Sequence, residues 1–169
     1  MDSEESIVKS LITILLFVIS SGLAEAQTRP TVDLEKERAE LLRAHKTGRE
    51  AHFKTDVDLL QQGAPEEFIA VSDGKIYRTK KADERRQFEE YFKGAKYYEW
   101  DDVEEPIVRI SNDGSMAWMI TRIRVRRTQK DAAGVEKERK FIYAGIMTYE
   151  KKAGKWLRVA NVSTFEPPN

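Results

Sequence analysis

Three stretches of period two close the chain. Met116 to Arg127, Glu138 to Glu150 and Lys155 to Phe165 alternate side chains along their length and are joined by short glycine-bearing turns. Alternation at period two sends successive side chains to opposite faces, so the three read as consecutive antiparallel strands. The first half carries the helical period instead. Leu34, Arg38, Leu41, Leu42, His45, Arg49, His52 and Phe53 fall on one stripe, with Glu35, Glu37, Glu40, Arg43 and Lys46 mostly opposite. That spacing predicts a long helix capped by Thr31 or Asp33, after an extended lead from Thr28 to Val32.

Between these regions the pattern changes several times. Thr55 or Asp56 restarts a short second helix through Leu59 and Leu60, ended near Gly63 and Pro65. Phe68 to Val71 and Lys75 to Arg78 flank the turn Ser72-Asp73-Gly74 as a short hairpin. A third helix runs from Ala82 to Phe92 and stops at Gly94. Tyr97 to Ile110 is a long strand region broken at Glu104-Glu105-Pro106, where proline removes a ladder donor. Asn112-Asp113-Gly114, Asp131 to Gly134 and Ala153-Gly154 supply the later turns.

Composition narrows the class. A chain of 169 residues with 40% hydrophobic and 34% charged side chains has the size and makeup of one soluble globular domain. The run Leu11 to Ile19 is too short to span a bilayer and is followed by Ser20-Ser21-Gly22 and Ala24-Glu25-Ala26, the pattern of a secretory signal and its cleavage site. Residues 1–26 are therefore expected to be a signal peptide and residues 27–169 the domain, exported to a periplasm or secreted, with no membrane anchor left after cleavage. Cleavage removes Asp2, Glu4, Glu5 and Glu25 against Lys9 and turns a net charge of zero into +3. Acidic residues ahead of Lys9 are unusual for such a leader, and initiation at Val8 would restore a basic start.

Charge this mild points away from a nucleic-acid partner. The chain has no cysteine, which excludes disulfides, thiolate metal sites and a cysteine nucleophile. Asn161-Val162-Ser163 matches a glycosylation sequon but lies inside a predicted strand and is read as chance.

Three segments carry a family likeness: His52-Phe53-Lys54-Thr55-Asp56-Val57-Asp58-Leu59-Leu60 at the end of the long helix, Glu66 to Val71 at the strand entry, and the tail from Tyr149 to Asn161 with Gly154-Lys155-Trp156 at its turn. In this order they resemble the nuclear transport factor 2-like superfamily, which includes SnoaL-like cyclases and ketosteroid isomerases. The resemblance implies an α+β fold, a cone-shaped curved antiparallel sheet wrapped around a long N-terminal helix with two further short helices, and an open-ended pocket. It also implies that the isomerases' tyrosine donor and aspartate base would fall on Gly48 and Ser72, so neither group is present. Asp73, one residue on, would point to the opposite face.

The remaining chemistry is sparse. His45 and His52 are seven residues apart, two turns along one helix face and roughly 10 Å from each other along the axis. That is too far for a metal pair, and no metal or cofactor is expected. Each can be a buried hydrogen-bonded residue or a general acid or base, since imidazole titrates near neutrality. Tyr77, Trp100 and Tyr143 are candidate ligand-pocket residues because aromatic bodies with polar tips suit an apolar ligand, and Thr121 and Asn161 complete the candidate set.

Asp56 and Asp58 read as helix-capping charges. Arg122, Arg124 and Arg126 share one strand face, most simply a solvated face balanced by Glu136, Glu138 and Glu150. Phe141 to Tyr149 is apolar on both faces, so its outer side calls for cover by a homodimer through the sheet.

The leading expectation is an exported domain that binds a small apolar ligand in its cone without established catalysis. A SnoaL-like lyase, isomerase or hydrolase using His45 or His52, with Tyr143 or Asn161 orienting an oxyanion, is the enzymatic alternative. A protein-association module working through the sheet face is the third.

Overall fold

The computed structural model describes residues 32–166; the expected signal peptide and most of the extended lead lie outside them. Among the described residues no helix is long and apolar enough to cross a membrane. The chain runs α1 (Leu34–Lys54), α2 (Val57–Leu60), β1 (Glu67–Ser72), β2 (Lys75–Lys80), α3 (Lys81–Phe92), β3 (Ala95–Asp102), β4 (Ile107–Ile110), β5 (Met116–Lys130), β6 (Glu136–Lys152) and β7 (Lys155–Phe165). Among the described residues it is an α+β fold in which three helices pack against one curved, unclosed sheet of order β2-β1-β7-β6-β5-β3, with β4 also on β5.

Local chemistry sets the boundaries. Asp33 caps α1 by accepting from the Lys36 N–H at 3.0 Å, and Glu35 and Glu37 complement the positive helix end. Asp56 caps α2 in the same way through Leu59. Asp73 and Gly74 both hold positive φ, the two-residue turn that matches strand twist and closes the β1–β2 hairpin. Pro106 sits in the break between β3 and β4, which pair successive lengths of β5. Among the described residues the single parallel pairing is β1 on β7.

Alternation along β5 puts Ala117, Met119, Ile123 and Val125 under the helices, at 3% exposure or less. Leu41 and Ala51 of α1 are fully enclosed and meet this layer from the other side. The helix does not bury the whole predicted stripe: Leu34 and Phe53 are exposed, whereas Glu37, assigned to the outer face, is buried. Glu37 lies one turn before Leu41, and its carboxylate accepts from Trp156 Nε1 at 2.8 Å and pairs with Lys151 Nζ at 2.5 Å. Those two partners come from the β6–β7 hairpin and make burial of the charge tolerable.

Two one-residue bulges decide which side chains face inward. On β3 the register passes from Tyr97↔Arg127 to Glu99↔Arg126, leaving Tyr98 unpaired. Tyr97 and Trp100 both become buried, and Asp102 is carried to the same face. On β7 the register passes from Thr148↔Ala160 to Tyr149↔Arg158, leaving Val159 unpaired. Asn161 above the bulge and Arg158 and Trp156 below it all turn toward the concave face.

On the convex face Arg122 pairs with Glu166, Arg124 with Glu99 at 3.6 Å and Arg126 with Glu138 at 3.6 Å. The arginine row is thus matched by carboxylates, although only Glu138 belongs to the expected set.

Candidate functional site

The sheet curves around α1 and leaves a cavity of about 740 Å³. Aromatic rings form a large part of its walls, and its polar groups come from separate elements, with the charged Glu40, Arg43 and Lys155 also among the lining residues. α1 contributes His45, Gly48 and His52; α3 contributes Glu84, Phe88 and Tyr91; β3 contributes Trp100. β6 presents Phe141, Tyr143, Met147 and Tyr149, alternate positions with Gly145 between the two pairs, and β7 presents Trp156, Arg158, Asn161, Ser163 and Phe165 through its bulge.

The aromatic lining is continuous. His52 stacks on Trp100 at 4.7 Å, Trp100 meets Tyr143 edge-on at 6.5 Å, and Tyr143 lies 6.1 Å from Phe165. Offset and edge-to-face contacts of this kind hold rings in fixed orientations and present their faces to a guest.

The two histidines differ sharply. His52 Nδ1 lies 2.7 Å from the Gly48 carbonyl oxygen. Burial pushes its pKa down to about 4; the Gly48 carbonyl opposes this, and the Arg158 and Arg127 charges add to it. His52 is therefore a neutral imidazole at neutral pH. His45 Nε2 instead faces both oxygens of Asp102, at 2.9 and 3.0 Å. Arg49 of the next turn grips the Trp100 carbonyl and Asp101, so β3 is clamped to α1 at two neighbouring points.

Across the cavity Arg158 Nη2 donates to Glu84 Oε1 at 3.1 Å, and Gln61 Nε2 donates to Glu84 Oε2 at 3.2 Å. The buried Glu84 charge is thereby matched, and the deep wall is close to neutral. The Tyr143 hydroxyl is held protonated by burial first and by the neighbouring Tyr91 and Asp102 second; burial does the same for Tyr149. Both are neutral donors and acceptors.

Of the residues expected from sequence, His45, His52, Trp100, Tyr143 and Asn161 meet in this cavity. Tyr77 does not: it lies on β2 at the sheet edge and is 45% exposed. Thr121 shares the inward side of β5 with Met119 and Ile123 but is not part of the cavity wall. Sequence does not single out Glu84, Trp156 and Arg158, which line the cavity, or Asp102, which reaches it only through His45; bulges and a partner on another element bring them there. Among the described residues no cluster of three or more histidine or acidic side chains is placed to hold a metal ion.

No family model matches the sequence, and comparison with curated proteins finds no match. Solved structures do match. A candidate dehydratase of the NTF2-like family from Streptomyces avermitilis has TM-score 0.63 at 9% identity, over 79% of this chain and 99% of that one. An NTF2-like protein from Cytophaga hutchinsonii has TM-score 0.60 at 13% identity, over 76% and 98%. The association domain of C. elegans CaMKII has TM-score 0.51 at 13% identity, over 77% and 96%. At such identities the likeness is one of architecture, and the chain has the NTF2-like cone fold.

Proposed function

We propose that the domain is exported and binds a small, mostly apolar ligand in its cone. The observation that carries this reading is the cavity of about 740 Å³ with aromatic rings over much of its wall, in which the buried Glu84 is matched by Arg158. A pocket of that size and lining takes up a drug-sized apolar molecule, and fixed polar groups then set its orientation. Native mass spectrometry of protein purified from its own host tests it: a co-purifying small molecule is expected, and sequencing of the same sample should begin at Gln27. Protein that is bare, and whose tryptophan fluorescence responds to no member of an aromatic ligand panel, would end the ligand reading.

A catalytic reading is favoured by one observation, the His45–Asp102 pair on the cavity rim. A carboxylate on one imidazole nitrogen fixes the ring's tautomer and orientation, which suits an acid or base acting through the other nitrogen. Loss of any measured turnover in both His45→Gln and Asp102→Asn supports it; unchanged turnover in either removes it.

Self-association is favoured by the convex face. Ile107, Ile120, Ile146 and Val162 stand in register across β4, β5, β6 and β7, and the outermost two are each 47% exposed. The likeness to an association domain adds support for an assembly. Sedimentation equilibrium should give a homodimer that Ile120→Asp converts to a monomer, and a monomeric wild type would contradict it.

A further inference from the structure

We propose that His52 Nε2 accepts a hydrogen bond from a neutral hydroxyl on the ligand, so that the cone selects a hydroxylated aromatic over the same skeleton with a methyl or a carboxylate in its place. This rests on the ligand-binding reading and adds to it the chemical class of the ligand.

The argument begins with the tautomer. A backbone carbonyl can only accept, so Nδ1, 2.7 Å from the Gly48 oxygen, carries the ring proton and Nε2 keeps its lone pair. The surroundings preserve that state. Trp100 covers one face of the ring, and Phe92 and Tyr97 meet it edge-on at 5.5 and 5.3 Å. Arg158 and Arg127 are the charged groups acting on it, and both oppose a second proton. A lone pair is what a ligand meets at this wall.

Nε2 also stands open. Among the described residues the only hydrogen bond to the ring is the one at Nδ1; Nε2 is not among the side-chain atoms sealed away without a partner, and His52 is part of the cavity lining. His45 does not offer the same service, because its Nε2 is already taken by Asp102.

The charge of the ligand follows from the same groups. A carboxylate would set its lone pairs against that of Nε2, and Arg158 already carries the Glu84 carboxylate on Nη2, although its Nε has no partner among the described residues. A methyl group would leave Nε2 without a partner in a site it had just closed to water. A hydroxyl donates its proton to Nε2 and brings no charge into the cavity.

The test is isothermal titration calorimetry at neutral pH on the full chain with 2-naphthol, 2-methylnaphthalene and 2-naphthoate. The wild type should bind 2-naphthol roughly five- to tenfold more tightly than 2-methylnaphthalene, the scale of one neutral hydrogen bond, and 2-naphthoate more weakly than 2-naphthol. In His52→Phe the preference for 2-naphthol over 2-methylnaphthalene should vanish, and in His52→Gln, whose amide oxygen can accept, part of it should return. Long-range nitrogen NMR of the unaltered protein gives an answer independent of any variant: adding 2-naphthol should move the His52 Nε2 resonance and leave Nδ1 nearly in place.

Equal affinity for 2-naphthol and 2-methylnaphthalene overturns this assignment while leaving an apolar pocket intact. A preference that survives His52→Phe, or that disappears in His45→Phe instead, also overturns it. Failure of all three probes to bind removes the pocket reading itself.

Discussion

His52 should make the fold sensitive to mild acid. Unfolded, its imidazole takes up a proton near the ordinary 6.5; folded, burial first and the facing arginines second hold the pKa at about 4. Between these values the unfolded chain binds a proton that the native chain refuses, so stability is full above about pH 6.5 and falls as pH drops toward 4. At about 1.4 kcal/mol per pH unit the two pKa values make this loss about 3 kcal/mol, a large share of the roughly 5–15 kcal/mol that holds a domain together.

Carboxylates titrate in the same window, so the relevant quantity is the difference between wild type and His52→Gln, which keeps a polar side chain and cannot titrate. Urea unfolding at a series of pH values from 7.5 to 4 should show the wild type losing stability relative to the variant, most of it below about pH 6. Parallel curves for the two proteins would refute the reasoning, as would a His52 ring that titrates near 6.5 by NMR.

Other substitutions probe the frame around the cavity. Gly145→Ala should cost about 1–3 kcal/mol in urea unfolding, because its Cβ would stand 2.9 Å from the Val162 carbonyl oxygen and 3.3 Å from Asn161 Oδ1. Trp156→Phe should cost about 1–2 kcal/mol by removing the N–H that the buried Glu37 carboxylate accepts, with far-UV circular dichroism unchanged. Leu41→Ala, at a fully enclosed position, should cost about 2–5 kcal/mol by the same measurement. Tyr77→Ala at the exposed sheet edge should leave ligand affinity in calorimetry unchanged.

Much of this architecture was legible along the chain because local rules decide it. The final strand was read at its observed bounds, Lys155 to Phe165, since a glycine turn precedes it and alternation runs through it. Pro106 marked the β3–β4 break and Asp73-Gly74 the hairpin for reasons of backbone chemistry alone. The site was harder to read because strand parity was interrupted twice. Counting by two from Tyr97 sends Glu99 and Asp101 inward, yet the unpaired Tyr98 sends Trp100 and Asp102 there instead. Counting by two from Asn161 sends Val159 and Leu157 inward, and the unpaired Val159 substitutes Arg158 and Trp156. Nothing in either segment, neither glycine nor proline, announces the bulge. Glu37 was misplaced for a different reason: its burial depends on Trp156, 119 residues away, which no helical period can register.

The pocket reading meets its most direct test in a crystal structure of the protein grown with 2-naphthol. The naphthyl ring is predicted inside the cone against Trp100 and Tyr143, with its oxygen within hydrogen-bonding distance of His52 Nε2. A cone filled only with water, with 2-naphthol bound elsewhere or nowhere, would contradict it.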